Sequence, residues 1–421
     1  MSSKLCRSKP LGLMVVLPAA ILLDKSCLFD CSDKFRKETQ TSSNSLPHSS
    51  FLSLFLSPAI DWGSSRSHKC YNLVKQQNFE FMEIVVTLVL GSVLFVWGMR
   101  FGRVLVRSGV TANDLFKGRN SIALLFLGFY IALLLLALNL PQMPALPIEW
   151  RFHGMRVTWT LLRVMLMGVC GIGFSISWLT ARSQVIAVIL ICLLGLGGFT
   201  GTENYFMAPI YDDLIDNLQP NGVFRQTSNS SCAPAALATV LRRWGMDATE
   251  SSVARFAGTS RLGTSMPQLI IAARALGVNA IELAPTWEQI QQINRPGVLA
   301  VWLLDGPRKL PHAVALLGMN DSVAAIGDPA RGRIFYLDRA TFAQIWRQEY
   351  VPIFRSADIL LSDKQAIDYL SKLGYNSGDL KADIERFQTD KKLQVSGNLD
   401  RMTELMLSGS FLEGVPRLDG K

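Results

Sequence analysis

Hydrophobic residues are arranged in two different ways along this chain. From Met82 onward they run nearly unbroken through four stretches, 84–101, 122–140, 157–179 and 185–199, separated by short polar loops. Each is close to the ~20 residues that an α-helix needs to cross a bilayer. A soluble core could account for one such stretch, but four in succession predict transmembrane helices. The third carries Arg163, which is expected to extend its charged head toward the membrane interface. After residue 200 the apolar residues fall into shorter runs divided by turn residues.

In that second part, helical patterns at 232–244, 251–256 and 267–276 come first. Dense apolar runs at 297–304, 312–318, 322–328 and 333–337 then read as strands, followed by a helix at 341–346. Helices followed by an antiparallel sheet is an α+β order. Residues 201–225 read as a linker with a short helix at 212–218, and 362–410 as a small α-helical domain. The predicted fold class is therefore multi-domain: four transmembrane α-helices, then an α+β domain at 226–358, then that helical domain. Residues 1–81, rich in Ser, Lys and Cys, hold no sustained period and are left unassigned. The change of character at Met82 makes an over-extended reading frame the expectation for them, with the membrane region at 82–200.

Composition agrees with a membrane protein, since hydrophobic residues make up 49% of the chain and charged ones only 18%. The net charge of +9 reports topology. Arg100, Arg103, Arg107, Lys117 and Arg119 fill the first loop and Arg182 the third. Arg151 and Arg156, offset by Glu149, lie in the second, and Glu203, Asp212, Asp213 and Asp216 follow the last span. By the positive-inside rule the first and third loops are cytoplasmic, and everything after residue 201 lies outside the cytoplasm. No basic patch interleaved with aromatic residues is present, so nucleic acid is not an expected partner; the lipid bilayer is.

The candidate chemistry begins at Cys232. A polar run, Thr227 to Ser231, leads into it, and Ala-Pro-Ala-Ala-Leu-Ala continues as a helix to Trp244 and Gly245. Pro234 is tolerated only in a first helical turn, which puts Cys232 at the helix N-terminus. Free N–H groups and the macrodipole there favour a thiolate. Cys232 is the only cysteine after residue 192 and His312 the only histidine after residue 153, so nucleophile and base are paired by scarcity. His312 opens one apolar run and Asp328 closes the next, with Gly318-Met319-Asn320-Asp321 between them. A hairpin with a three-residue loop over 319–321 would place His312 directly opposite Asp328, their Cβ atoms roughly 4.5–5.5 Å apart. The acid would then orient the base. No paired Cys-x2-Cys and histidine pattern exists, and neither a metal nor a cofactor is expected.

Gln226 lies six residues before the cysteine, on the loop entering the helix. Gln226, Cys232, His312 and Asp328, in this order and spacing, resemble the bacteriocin-processing (double-glycine leader) cysteine peptidase family, which is papain-like. The resemblance spans about 226–354 and includes Ala236–Gly245 (ALATVLRRWG), Gly263-Thr264-Ser265, His312-Ala313-Val314 and the GDPARG run 327–332. Ala233 stands where the family usually has Gly. The resemblance implies that Gln226 and the Cys232 N–H hold an oxyanion. The tail resembles a peptidoglycan-binding-like domain through Leu373-Gly374-Tyr375, Arg386-Phe387-Gln388 and Gly397-x-Leu399-Asp400-x-x-Thr403, the alternative being a helical cap on the catalytic domain.

These resemblances imply a cysteine-type peptidase in a bacterial inner membrane, with its C-terminal domains extracytoplasmic. It would act on a peptide or protein substrate through a thioester, with peptidoglycan as a further partner. The alternatives are a non-enzymatic cell-wall-binding scaffold and an acyl or peptidyl transferase on the same fold. No G-x4-G-K-[ST] is present to support a fused ATPase.

Overall fold

The computed structural model describes residues 65–111, 145–305 and 308–419, with isolated positions between 128 and 143. The packing described below lies within one compact unit, Thr87–Lys421. Three helices dominate the first half: α1 (Ser65–Arg107), α2 (Ile148–Thr180) and α3 (Val185–Met207). Three segments, Glu83–Arg107, Ile148–Thr180 and Arg182–Met207, are long and apolar enough to cross a membrane. The further span expected at 122–140 falls mostly outside the described residues.

Glycines bring α1 and α2 into backbone contact. A Cβ on Gly98 would lie 2.1 Å from the Gly168 carbonyl oxygen, and one on Gly171 would lie 2.2 Å from that of Phe95. Such close approach is how apolar helices gain van der Waals contact where no hydrophobic driving force acts between them. Arg163 does not reach for the interface as expected. It forms an ion pair with Glu203 of α3 and donates to Thr87 Oγ1 of α1 at 3.3 Å. Helix α3 runs on to Met207 and so carries Glu203, expected beyond the last span, to face Arg163. A guanidinium held among apolar helices is stabilised by a carboxylate partner.

Beyond α3 the expected linker is partly structured, because β1 (Asn217–Leu218) pairs with β2 (Phe224–Arg225). Three helices follow, α4 (Cys232–Arg243), α5 (Glu250–Ala257) and α6 (Met266–Ala275). Then come β3 (Asn279–Ala280), α7 (Trp287–Ile293), β4 (Gly297–Asp305), β5 (Arg308–Met319), β6 (Val323–Asp328) and β7 (Arg333–Asp338). The domain ends with α8 (Arg339–Ile345) and β8 (Trp346–Phe354). The sheet order is β3-β8-β4-β5-β6-β7, antiparallel throughout.

Strand β8, absent from the sequence reading, lies between β3 and β4. Pro352 within it argues against a strand interior, since proline donates no ladder hydrogen bond. Gly297, its partner on β4, makes the pairing possible: a Cβ there would lie 2.4 Å from the Val351 carbonyl oxygen.

Each face of the sheet carries its own core. On one, Leu237, Val240 and Leu241 of α4 pack with Val298, Ala313, Ala315, Leu317 and Ile353. On the other, Leu299, Val314, Leu316 and Ile326 meet Trp287, Ile290 and Phe342. The same second core takes in Leu370, Phe387, Leu405 and Met406 from α9 (Asp363–Lys372), α10 (Leu380–Asp390) and α11 (Arg401–Ser408). The C-terminal helices therefore cap the α+β sheet and share its core, where the sequence suggested a separate glycan-binding domain.

The clamp is polar as well as apolar. The Arg295 side chain, fully buried, donates to Leu405 O at 3.0 Å and Ser408 Oγ at 3.0 Å. The tail signposts have structural roles. Gln388 Nε2 donates to Thr403 Oγ1 at 3.0 Å while its Oε1 accepts from Ser396 N at 2.8 Å and Gly397 N at 3.0 Å.

Candidate active site

Helix α4 begins at Cys232, as Pro234 in the first turn requires. The loop before it is closed by reciprocal bonds: Ser231 Oγ donates to Ser228 O at 2.9 Å and accepts from Ser228 N at 3.1 Å. Because the Ser231 hydroxyl is engaged there, no side chain caps the helix. The Cys232 N–H has no acceptor among the described residues, as the first N–H groups of a helix lack an intrahelical partner.

His312 and Asp328 come together on β5 and β6, with His312 Nε2 2.8 Å from Asp328 Oδ1 and both residues buried. They are not directly opposite as expected. Ala315 pairs with Gly327, and an irregularity between Leu316 and Gly318 shifts the ladder so that Met319 pairs with Ala324. In that register Asp328 falls two residues short of the position facing His312. The pair is a same-face diagonal, within reach of long side chains. The turn explains the shift: Asn320 Oδ1 accepts from Ser322 N at 3.0 Å and Val323 N at 2.8 Å, which moves the loop one residue on.

Asp328 Oδ1 also accepts from Ala330 N at 2.9 Å, and Gly332 N donates to Asp328 O at 2.8 Å. Burial opposes charge on both partners, but the hydrogen bond between them prevails. Burial pulls the His312 pKa down, yet Asp328, hydrogen-bonded to the ring, and Cys232 beside it raise it to about 9. Burial likewise pushes the Asp328 carboxyl up, and the His312 bond holds it below the ordinary range. Since Nε2 serves Asp328, Nδ1 is the ring nitrogen left for Cys232.

Gln226 lies on the same loop as Cys232. Its backbone N–H donates to Pro329 O at 2.9 Å, which ties that loop to the turn after Asp328. One Nε2 hydrogen goes to Ser228 O at 3.0 Å, and the other has no acceptor among the described residues. Its Oε1 is buried without a partner among the described residues. Thus all four sequence-predicted positions converge on one place, and Gln226 additionally braces the loop.

Residues 221–358 match the Peptidase C39 family. Through this domain the chain belongs to that family. An uncharacterized protein of Methanothermobacter marburgensis is 35% identical over 146 residues, covering 35% of this chain and 97% of that protein. One from Methanothermobacter thermautotrophicus is 32% identical over 136 residues, covering 32% and 90%. Both are archaeal, so the expectation of a bacterial envelope gains no support from them. Among solved structures, the peptidase domain of Streptococcus ComA, a bifunctional ABC transporter, is 20% identical over 32% of this chain and 97% of that one, with a TM-score of 0.29.

Several residues that shape the C39 domain's site were not evident in the sequence. Glu250, fully buried at the start of α5, accepts from Thr227 N at 2.9 Å and Thr227 Oγ1 at 3.0 Å. It thereby fixes the far end of the loop that carries Cys232. Asp216 holds α5 in turn, accepting from Ser251 N at 2.7 Å and Ser251 Oγ at 2.6 Å. Ser230 Oγ donates to Arg261 O at 2.7 Å. The Thr249-Glu250-Ser251-Ser252 run was readable as a helix start. That Glu250 turns inward toward Thr227 was not.

Proposed function

We propose that this protein is a membrane-anchored cysteine peptidase of the C39 type, with Cys232 as nucleophile, His312 as base and acid, and Asp328 as the group that orients the imidazole. The observation that carries the reading is the buried His312–Asp328 pair at 2.8 Å, set beside a cysteine that starts a helix. An imidazole raised to about 9 is largely protonated near neutrality, and an adjacent imidazolium favours the thiolate.

The Cys232 thiolate attacks the peptide carbonyl carbon. The Cys232 N–H and the second Nε2 hydrogen of Gln226 stabilise the developing oxyanion. His312 then passes its proton to the departing amine, leaving a thioester on Cys232. Water, deprotonated by His312, releases the acid and restores the thiol. Asp328 keeps Nε2 engaged throughout, so that Nδ1 stays aimed at the sulfur.

The three long apolar helices support anchoring in a bilayer, and the charges of their flanking loops support an extracytoplasmic domain. Leader peptides of the family's kind are the first substrates to try. The test is alkylation of Cys232 by iodoacetamide across pH, on full-length protein and on His312→Ala, read by peptide mass spectrometry. Fast alkylation near neutrality that is lost in His312→Ala is the expected result. Equal rates in the two proteins would sink the reading.

A further inference from the structure

We infer that the candidate active site works at the bilayer surface, on polypeptides held in the same membrane and cut within about ten residues of their embedded segment. This rests on the peptidase reading above and adds the substrate class. Its basis is one residue, Arg261, which touches both the end of a membrane helix and the loop of the nucleophile.

On the membrane side, the Arg261 guanidinium lies over the Tyr205 ring, 4.3 Å from its centroid, two residues before the end of α3. Arg261 N donates to Ala208 O at 3.2 Å, and Ile210 N donates to Thr259 O at 3.3 Å. On the site's side, the Arg261 carbonyl accepts from Ser230 Oγ, two residues before Cys232. Adding covalent and hydrogen-bond lengths along this path puts Cys232 within about 20 Å of the α3 terminus. Tyr205 and Phe206, 59% and 40% exposed, are the aromatic residues expected at a membrane–water boundary.

A second brace keeps the domain from swinging away. Arg151, in the first turn of α2 and 4% exposed, forms a 2.7 Å ion pair with Glu282 just after β3. Ile148, the first residue of α2, packs against the core of the catalytic face. Thus the domain is fastened to two apolar helices at once, with the Cys232 loop beside one fastening. Leu262, 46% exposed, adjoins Arg261, and Ile215, 82% exposed, is bonded through its N–H to Thr227 Oγ1 on the same loop. These side chains suit an apolar segment emerging from lipid rather than a fully hydrated peptide.

Confining substrate to the same bilayer raises its effective concentration at the site, provided that the scissile bond can reach it. An extended chain covers at most ~3.3–3.6 Å per residue, so bonds within about ten residues of the anchor are well placed. The test uses full-length protein in nanodiscs of phosphatidylglycerol and phosphatidylcholine. It is offered one randomised peptide pool behind a transmembrane anchor and the same pool without the anchor, with Cys232→Ser as the blank. The expected result is cutting of the anchored pool faster by about tenfold or more, with cuts clustered near the anchor. Equal rates, or cuts spread evenly along the anchored peptides, would overturn this inference and leave the peptidase reading standing. Cutting of neither pool would count against the peptidase reading itself, and this inference would go with it.

Discussion

His312 meets Asp328 on the diagonal of a hairpin whose turn, built on Asn320, is displaced by one residue from the symmetric position. The contact is thus set by a ladder irregularity near Leu317 as much as by the residues that make it. Neutralising the acid should release the base. In Asp328→Asn the alkaline limb of peptide cleavage, which reports loss of the His312 proton, should move down from about pH 9 toward the ordinary histidine value of 6.5, because the anionic partner that raises it is gone. Peptide cleavage should fall by about 10²–10⁴-fold, in line with other enzymes whose base loses its orienting carboxylate. Rate–pH profiles of the two proteins check this.

The same pair makes stability depend on pH. His312 is raised from 6.5 to about 9 on folding, so its contribution is complete below about pH 6.5 and is lost as pH rises through 9. Asp328 is lowered, so its share is present above the ordinary carboxylate range and disappears as pH falls through its depressed folded value. Thermal melts of wild type and His312→Gln should therefore converge between pH 6.5 and 9 and differ most in mildly acidic buffer.

Glu250→Gln keeps the shape of a fully buried side chain that accepts two hydrogen bonds from Thr227. An amide can accept only one of them and turns a donor toward the other. The expected cost is about 1–3 kcal/mol of stability. Slower alkylation of Cys232 should accompany it, because the loop loses its fixed end. Wild-type alkylation in a variant with lowered melting temperature would limit Glu250 to a structural role.

Deleting the chain after Asp358 should unfold the peptidase domain. Trp287, Ile290 and Leu299 share their core with Phe387, Leu405 and Met406, and Arg295 would lose its carbonyl and hydroxyl partners. An intact chain should melt in one transition and the shortened one should show no cooperative transition. An independent second transition from the tail would contradict a common core.

Arg163→Gln should break the buried Arg163–Glu203 ion pair. Removing one partner of a buried pair commonly costs about 3–5 kcal/mol. Replacing both, as Arg163→Met with Glu203→Leu, should recover much of that. Melting in nanodiscs compares the three proteins.

The linear order of residues already determined the apolar helices, the α+β succession and the convergence of Gln226, Cys232, His312 and Asp328. Those features rest on local signals: span length, a proline that can sit only in a first turn, and a lone thiol and lone imidazole with no competitors. Everything else depends on partners distant along the chain. Strand β8 exists because its partner position on β4 is a glycine, Gly297, which admits Pro352 beside it. Arg163 finds Glu203 only once α2 and α3 pack together. Glu250 reaches the nucleophile's loop, and α9 to α11 enter the second core of the sheet, only after the domain has closed. The hairpin register was set by the Asn320 turn, which carries the loop one residue further along the chain and turns a direct pair into a diagonal one.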